Sequence, residues 1–462
     1  MQWVTGEKLK KYTNNGKTLL AVNNRLEVYL SEFQHHFKNR TKSNFDKATQ
    51  YVEGLALSDL KNIERITETL NADYHKMQHF ITESNWDARA VIDQIANQVD
   101  QSLPNQKLKG LLIDESGWVK KGDKSIGVDH QYCGNVGKTA NSQVAVFGCL
   151  CTDKYAALVD TRLYLPRSWC TNNARCETAG IPKEDRVFKT KPELATDIVK
   201  HQLEMGIEFD YVGGDGLYGN DLAFTRSVED MGLVYMLDIH SDQKIHLEKP
   251  ELHIPERKSN RGRPPKRPKA STPSVNANEY IETLTNKDWK KLDIRDSAKG
   301  KLKGLFHFKT VYIWDKVQNI VEKRLLVISK RKTKQGVEIK YSFTNAELAQ
   351  YTHQALAYMQ AQRFFIEHSF KEQKQIVGLD QFQTRKWLSW HHQVALNLMV
   401  GSFMLKEKLL NQDEVPLLSA RDIMDFMVYK FYREMTDERM LEKLQQRHEK
   451  RQRDIDLCYS KQ

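Results

Sequence analysis

"GLLIDESGWVKKGDKSIG", residues 110–127, decides how the chain is read. Leu111, Leu112 and Ile113 form an apolar run that predicts a buried strand, and the run ends abruptly in Asp114. Gly117 and two lysines follow closely. A carboxylate at a strand end near glycine has two readings. It is a turn-forming Asp, or a group that a rigid sheet holds in place for chemistry. Farther along, "EFDYVGGDGLYGND", residues 208–221, repeats the arrangement: a short apolar run, two glycines and then Asp215. Strands of one sheet can bring such ends together across about 100 residues of sequence. Two close carboxylates repel unless a proton or a metal lies between them. Oxygen ligands of this kind suit magnesium or manganese.

A third stretch joins these two. "QRFFIEHSFKEQKQIVGLD", residues 362–380, predicts a helix over about 358–377. At about 100° per residue, Arg363, Glu367 and Lys374 fall within roughly 60° of one another, and Glu372 faces elsewhere. An acid between two bases on one helix face reads as a surface salt-bridge ladder. It reads equally as a site where the acid holds a metal and the bases hold phosphate oxygens.

The totals fit a soluble globular protein with a polyanionic partner. The 462 residues carry a net charge of +11, an excess that points to nucleic acid, with an anionic membrane surface as the competing reading. No apolar run in the sequence approaches the roughly 18–20 residues that span a bilayer. "MQWVTGEKLKKYTNNG" at the start lacks the apolar core of a signal peptide, so a cytoplasmic, nucleoid-associated location is expected. The six cysteines include no C-x-x-C pair, which argues for reduced, mostly buried thiols over zinc or disulfides.

Residues up to about 105 predict helices. Leu60, Ile63 and Ile66 recur at helical spacing, as do Val91, Ile92 and Ile95, and Ser84 with Asp87 has the form of a capping box. Next come three strands: "GLLIDE", "SQVAVFGCL" and "YAALVDTRLYL", the last two joined by a hairpin turn at 152–154. A helix over 192–205, a strand ending near Asp215, a short helix and the strand "LVYMLDI" follow. This order predicts an α/β layer with a mixed sheet and flanking helices. Residues 241–348 predict a β-rich insertion. It holds the basic loop 256–270 and the strands "LFHFKTVYIW", "RLLVIS" and "EIKYSF". From about 348 the chain is helical again.

Together these residues resemble the DDE triad of cut-and-paste insertion-sequence transposases, with Asp114 and Asp215 on strands and Glu367 on a helix. Arg363-x3-Glu367-x6-Lys374 matches the R, E and K of that group's Y-x2-R-x3-E-x6-K signature, with Gln360 standing where the tyrosine is expected. "WVKKGDKSIGVDHQYCGNVGKTANSQVAV", "GDGLYG" and "GLDQFQTRKWLSWHHQVAL" are similar to the insertion-sequence-701 branch of the insertion-sequence-4-type transposases. The resemblance implies an RNase H-like core over 106–240 and 349–410. It also implies a helical DNA-binding domain over 1–105, the β-rich insertion over 241–348, and a helical region over 411–462 that dimerises. Asp114, Asp215 and Glu367 would hold two Mg2+ ions, with Mn2+ as substitute, against the scissile phosphate. Glycines beside Asp215 would let DNA backbone approach. The implied activity is Mg2+-dependent cleavage at element ends through a hairpin and strand transfer of the 3′-hydroxyl into target DNA, by a homodimer on double-stranded DNA. The alternatives are a nuclease of the same core without strand transfer and a transposase-derived DNA-binding protein that no longer cuts.

"GNVGKTAN", residues 134–141, lacks the glycine a phosphate-binding loop needs, since Tyr132 stands there; no nucleotide cofactor is expected. "RGRPPK", residues 261–266, resembles a minor-groove-binding hook, and Arg261, Arg263 and Lys266 are expected on DNA. Its bland reading is a solvated loop touching phosphates. Trp289 or Trp314 could stack an extruded base, as an insertion-domain tryptophan does in related transposases, with Trp289 preferred because Trp314 ends a buried strand. His391 and His392, adjacent on a helix, point about 100° apart and read as packing or phosphate contacts, not metal ligands.

Overall fold

The computed structural model describes residues 19, 21–39, 42–256, 265–297, 300–333, 336–432 and 437–460. They form two compact units. The first draws on Met1–Glu208, Ala298–Gly300 and Phe364–Gln462, and the second on Phe209–Ser297 and Lys301–Arg363.

The first unit begins with helices α1 (Val22–Ser31), α2 (Phe45–Leu57), α3 (Ile63–Leu70), α4 (Tyr74–Thr82) and α5 (Ala88–Ser102). In α5, Val91, Ile92, Ile95 and Val99 are all buried, as their three-to-four spacing requires. The cap is not the expected one. Asp87 itself takes the N-cap and accepts from the Ala90 N–H at 3.0 Å, whereas Ser84 is buried beside His79. Leu60 likewise stays off the helix, exposed, because the Asn62 side chain caps α3 at Ile63.

Strands β1 (Gly110–Val119), β2 (Asp129–Cys133), β3 (Lys138–Thr152) and β4 (Tyr155–Leu163) form the sheet of this unit. All pair antiparallel with β3, with β1 along one edge and β2 then β4 along the other. The β3–β4 turn falls at Asp153 with φ of 52°, where the sequence predicts it. The GKT stretch is the β2–β3 hairpin turn, with Gly137 at φ 65°, not a phosphate loop. Asp114 is a correction. It does not end the strand; β1 runs on to Val119, and Asp114 lies opposite Phe147 in mid-ladder. Pairing continues because Trp118 is buried and its indole N–H donates to Gln143 Oε1 at 2.7 Å. Helix α6 (Lys191–Glu204) starts with a Thr190/Glu193 capping box and Pro192 in its first turn.

In the second unit, β5 (Tyr211–Gly214) and β6 (Tyr235–Asp238) pair in parallel across helix α7 (Leu222–Asp230). β7 (Lys290–Ser297), β8 (Gly300–Asp315), β9 (Ile320–Thr333) and β10 (Gly336–Thr344) extend this same sheet, since β10 pairs antiparallel with β6. The sheet is therefore mixed, and the insertion strands are part of it. Helix α8 (His353–Gln362) lies on it, with the Gln360 side chain donating to Val327 O on β9.

The chain ends in the first unit with α9 (Phe364–Glu372), a π-helical segment (Gln373–Val377), α10 (Trp387–Leu410), α11 (Ala420–Tyr432) and α12 (Asp437–Ser460). The single helix expected over 358–377 is thus divided into α8, α9 and a π turn. Helix α10 is buried on nearly every face and packs on α5, β4, α2 and α4. His392 lies within it at 0 % exposure, stacked on Trp86 with ring centroids 3.9 Å apart, so it is a packing residue. All six cysteines are free thiols, four of them buried. Among the described residues no helix is long and apolar enough to cross a membrane.

Candidate active site

In the first unit the strand ladder fixes the place of Asp114. The side chain is half-buried, and Oδ1 accepts from the Glu115 N–H at 2.8 Å, which orients the carboxylate. Glu115 beside it takes an ion pair from Lys191 of α6 at 2.9 Å. Phe147, the cross-strand neighbour of Asp114, meets Phe370 of α9 edge to face at 5.3 Å. Directly paired residues share a sheet face, so α9 is docked on the face to which Asp114 points. Glu367 rides on this helix one turn before Phe370, exposed. Beyond α9, Lys374 donates its ammonium to Gly117 O of β1 at 3.1 Å. Burial pushes its pKa down, and the charges of Asp380, Cys133 and Asp114 restore part of the loss. Asp114, the Glu367 helix and Lys374 are thus brought to one region of this unit.

In the second unit Asp215 follows β5 directly and N-caps the four-residue helix Gly216–Gly219, accepting from the Leu217 N–H at 2.9 Å. The neighbouring glycines serve the protein's own chain. A Cβ on Gly219 would collide with Asp238 O, and one on Gly216 would meet the His240 ring. Gly216 and Gly219 thus have a packing reason within the protein's own chain. Arg363 makes an ion pair with Asp238 of β6 at 2.9 Å. Asp238 also accepts from Ser342 Oγ at 2.6 Å, and Ser342 accepts from Gln360 at 2.8 Å. Gln360, at the tyrosine position of the signature, is buried and acts through this chain of contacts. Sequence reading missed Asp238 and took Gln360 only as a departure from the signature. Asp238 closes the run "LVYMLDI" much as Asp215 follows its own, and that was the available signal.

Trp289 is half-buried, with the Lys330 ammonium 5.8 Å over its ring and the His307 ring 6.2 Å away. The Trp314 indole nitrogen is buried without a hydrogen bond. Lys266 is exposed; Arg261 and Arg263 lie outside the described residues. A cavity of ≈ 860 Å³ in the first unit is lined by Arg89, Arg162 and Trp387 among others. Its arginines are tied to the buried Asp160. Burial works to raise the pKa of Asp160, but the two arginines outweigh it and hold it below the usual range. Those charges are internally paired, and the cavity is assigned no ligand.

Asp114 and Asp215 are each half-buried with one carboxylate oxygen accepting from a main-chain N–H, and Glu367 is exposed. Carboxylate oxygens of this kind suit a divalent cation such as magnesium or manganese.

The sequence matches the DDE superfamily endonuclease family over residues 32–301, which includes Asp114 and Asp215. It is 32% identical over 218 residues to a "Probable transposase for insertion sequence element IS701" from Microchaete diplosiphon, covering 45% of this chain and 52% of that protein. The chain thus spans about half the length of this relative. Among solved structures it is similar to a piggyBac transposase in a synaptic complex with hairpin DNA, at a TM-score of 0.34 and 10% identity, covering 92% of this chain and 80% of that one.

Proposed function

The chain belongs to the DDE superfamily endonucleases, and from that premise we propose that it is a DNA transposase that cuts at insertion-sequence ends and joins them to target DNA. The observation that carries this reading is the family match, whose span holds both aspartates. Glu367 lies beyond that span, and its part rests on the Arg363-x3-Glu367-x6-Lys374 spacing. The fold is read as an RNase H-like core, with residues 1–105 binding element ends, 241–348 shaping the cut end and 411–462 joining two copies.

Asp114, Asp215 and Glu367 would hold the divalent metal, two Mg2+ or Mn2+ ions, which when bound would supply Lewis-acid stabilisation of the phosphodiester and a water of lowered pKa. Lys374 and Arg363 hold phosphate oxygens, Arg363 in the orientation set by Asp238. Trp289, beside Lys330, offers a ring face to a base extruded as the end is hairpinned. Arg261, Arg263 and Lys266 follow the backbone. The liberated 3′-hydroxyl then attacks a phosphorus of the target strand, the new phosphodiester forming as the target's own 3′-oxygen leaves, so no covalent protein–DNA bond is needed.

The test uses DNA from the flanks of the coding region, a target plasmid and Mg2+. Joined products are the expected result. Cut ends alone would make the protein a nuclease, and a salt-sensitive mobility shift without cutting would make it a DNA-binding protein only.

A further inference from the structure

A π turn is rare, costs regular hydrogen bonding and persists only where its surroundings enforce it. The turn Gln373–Val377 has such surroundings in α10. Gln393, Asn397 and Gly401 recur at a spacing of four along that helix, so they share a face. The first two have 0 % exposure. Tyr51 of α2 donates to Gln393 Oε1 at 2.5 Å, and Gln393 donates to Asn397 Oδ1 at 3.1 Å. Asn397 in turn donates to Val377 O at 3.2 Å, the last carbonyl of the π turn. A widened turn leaves carbonyls without their usual helical partner, and Asn397 supplies one. At the other end Gly401 provides space. The buried Gln373 carboxamide occupies the position where a Cβ on residue 401 would stand. The segment then closes at Gly378, in the left-handed region with φ of 83° and packed on the Lys61 side chain.

We infer that the Gln393–Asn397–Gly401 stripe of α10 is a positioning device for Lys374. It imposes the π turn that delivers the Lys374 ammonium to Gly117 O of β1, three residues from Asp114. These residues touch neither DNA nor metal; they act through Lys374. The inference rests on the reading of Lys374 as a residue of the cleavage site, and it gives Gln393, Asn397 and Gly401 of α10 a common role.

The test is a double-mutant cycle on single-turnover cleavage by the full chain. Gly401→Ala pushes Gln373 out of its notch, so cleavage falls by about 10–100-fold while end-DNA affinity is kept, because small misplacements of a site residue cost this much. In a Lys374→Ala background, the same change lowers the rate by less than about twofold, since the group being aimed is gone. A merely structural role would make the two effects multiply, and multiplication overturns the inference, as does a Gly401→Ala protein cleaving at the parental rate. If Lys374→Ala alone cleaves at the parental rate, the site reading of Lys374 fails first, without any change in α10, and the inference goes with it. Should Gly401→Ala not fold, Asn397→Leu runs the same cycle: it removes the donor to Val377 O and leaves the notch open.

Discussion

Asp114 and Asp215 look alike in sequence, each an aspartate after an apolar run and near glycine, yet the fold holds them in opposite ways. Asp114 lies in mid-ladder of a ten-residue strand, and its place is set by residues of β3 about 30 positions away. Asp215 lies beyond a four-residue strand, and its place is set by its own cap hydrogen bond and by glycines packed on Asp238 and His240. Long-range pairing makes the first carboxylate insensitive to local change. A local turn makes the second depend on every residue of "GDGLYG". Chemistry and stability should therefore separate at one position and coincide at the other.

The largest expected effect treats the two alike. Asp114→Ala, Asp215→Ala and Glu367→Ala should each lower cleavage by at least ~10³-fold, as loss of several kcal/mol of metal-borne stabilisation requires. Filter binding should show end-DNA affinity retained. The next effect divides the two sites. Gly219→Ala drives a methyl group into Asp238 O and should cost about 1–3 kcal/mol of stability, the usual penalty of overpacking. Gly216→Ala meets only the His240 ring, which can rotate, and should cost less than about 1 kcal/mol in urea titration. A smaller contrast lies in the aspartates themselves. Asp215→Ala removes a helix cap and should cost about 1 kcal/mol, whereas Asp114→Ala should stay within ~0.5 kcal/mol. Equal losses would erase the distinction between ladder and cap.

Acid should act on the unit that holds Asp114. Burial lowers the pKa of His392 to about 4, although Ile81 O and Trp86 O face its ring nitrogens and offset part of the effect. The folded state thus prefers the neutral ring. Its contribution is fully present above about pH 6.5, the unfolded value, and is lost as the pH falls toward 4. His392 alone should contribute a decline of up to about 1.4 kcal/mol per pH unit in that window. His392→Gln should flatten the decline in melts taken from pH 7 to 4.

What the sequence made legible was local. The Asp215 turn, the hairpin at Asp153 and the capped start of α6 each announce themselves within a few residues. What it concealed was set from a distance. The strand of Asp114 continues through polar "ESG" because β3 pairs with it, and β2, with the polar alternation "DHQYC", has no apolar run to reveal it. The helix of Glu367 is divided by a π turn whose cause lies in Asn397 and Gly401, about 20 residues on. The three candidate acids could be named from the sequence, but the residues that aim their neighbours could not. Asp238 beside Arg363 and the α10 stripe beside Lys374 become visible only through contacts.

The most direct measurement is single-turnover cleavage of a labelled duplex from the flank of the coding region, in Mg2+, by the parent, the three single carboxylate variants and the triple variant Asp114→Asn/Asp215→Asn/Glu367→Gln. If the carboxylates act as one metal-holding unit, each single change alone brings the rate to the floor and the triple variant is no slower, the non-additivity expected of groups that work together. A single variant that still cleaves within tenfold of the parent would contradict the account.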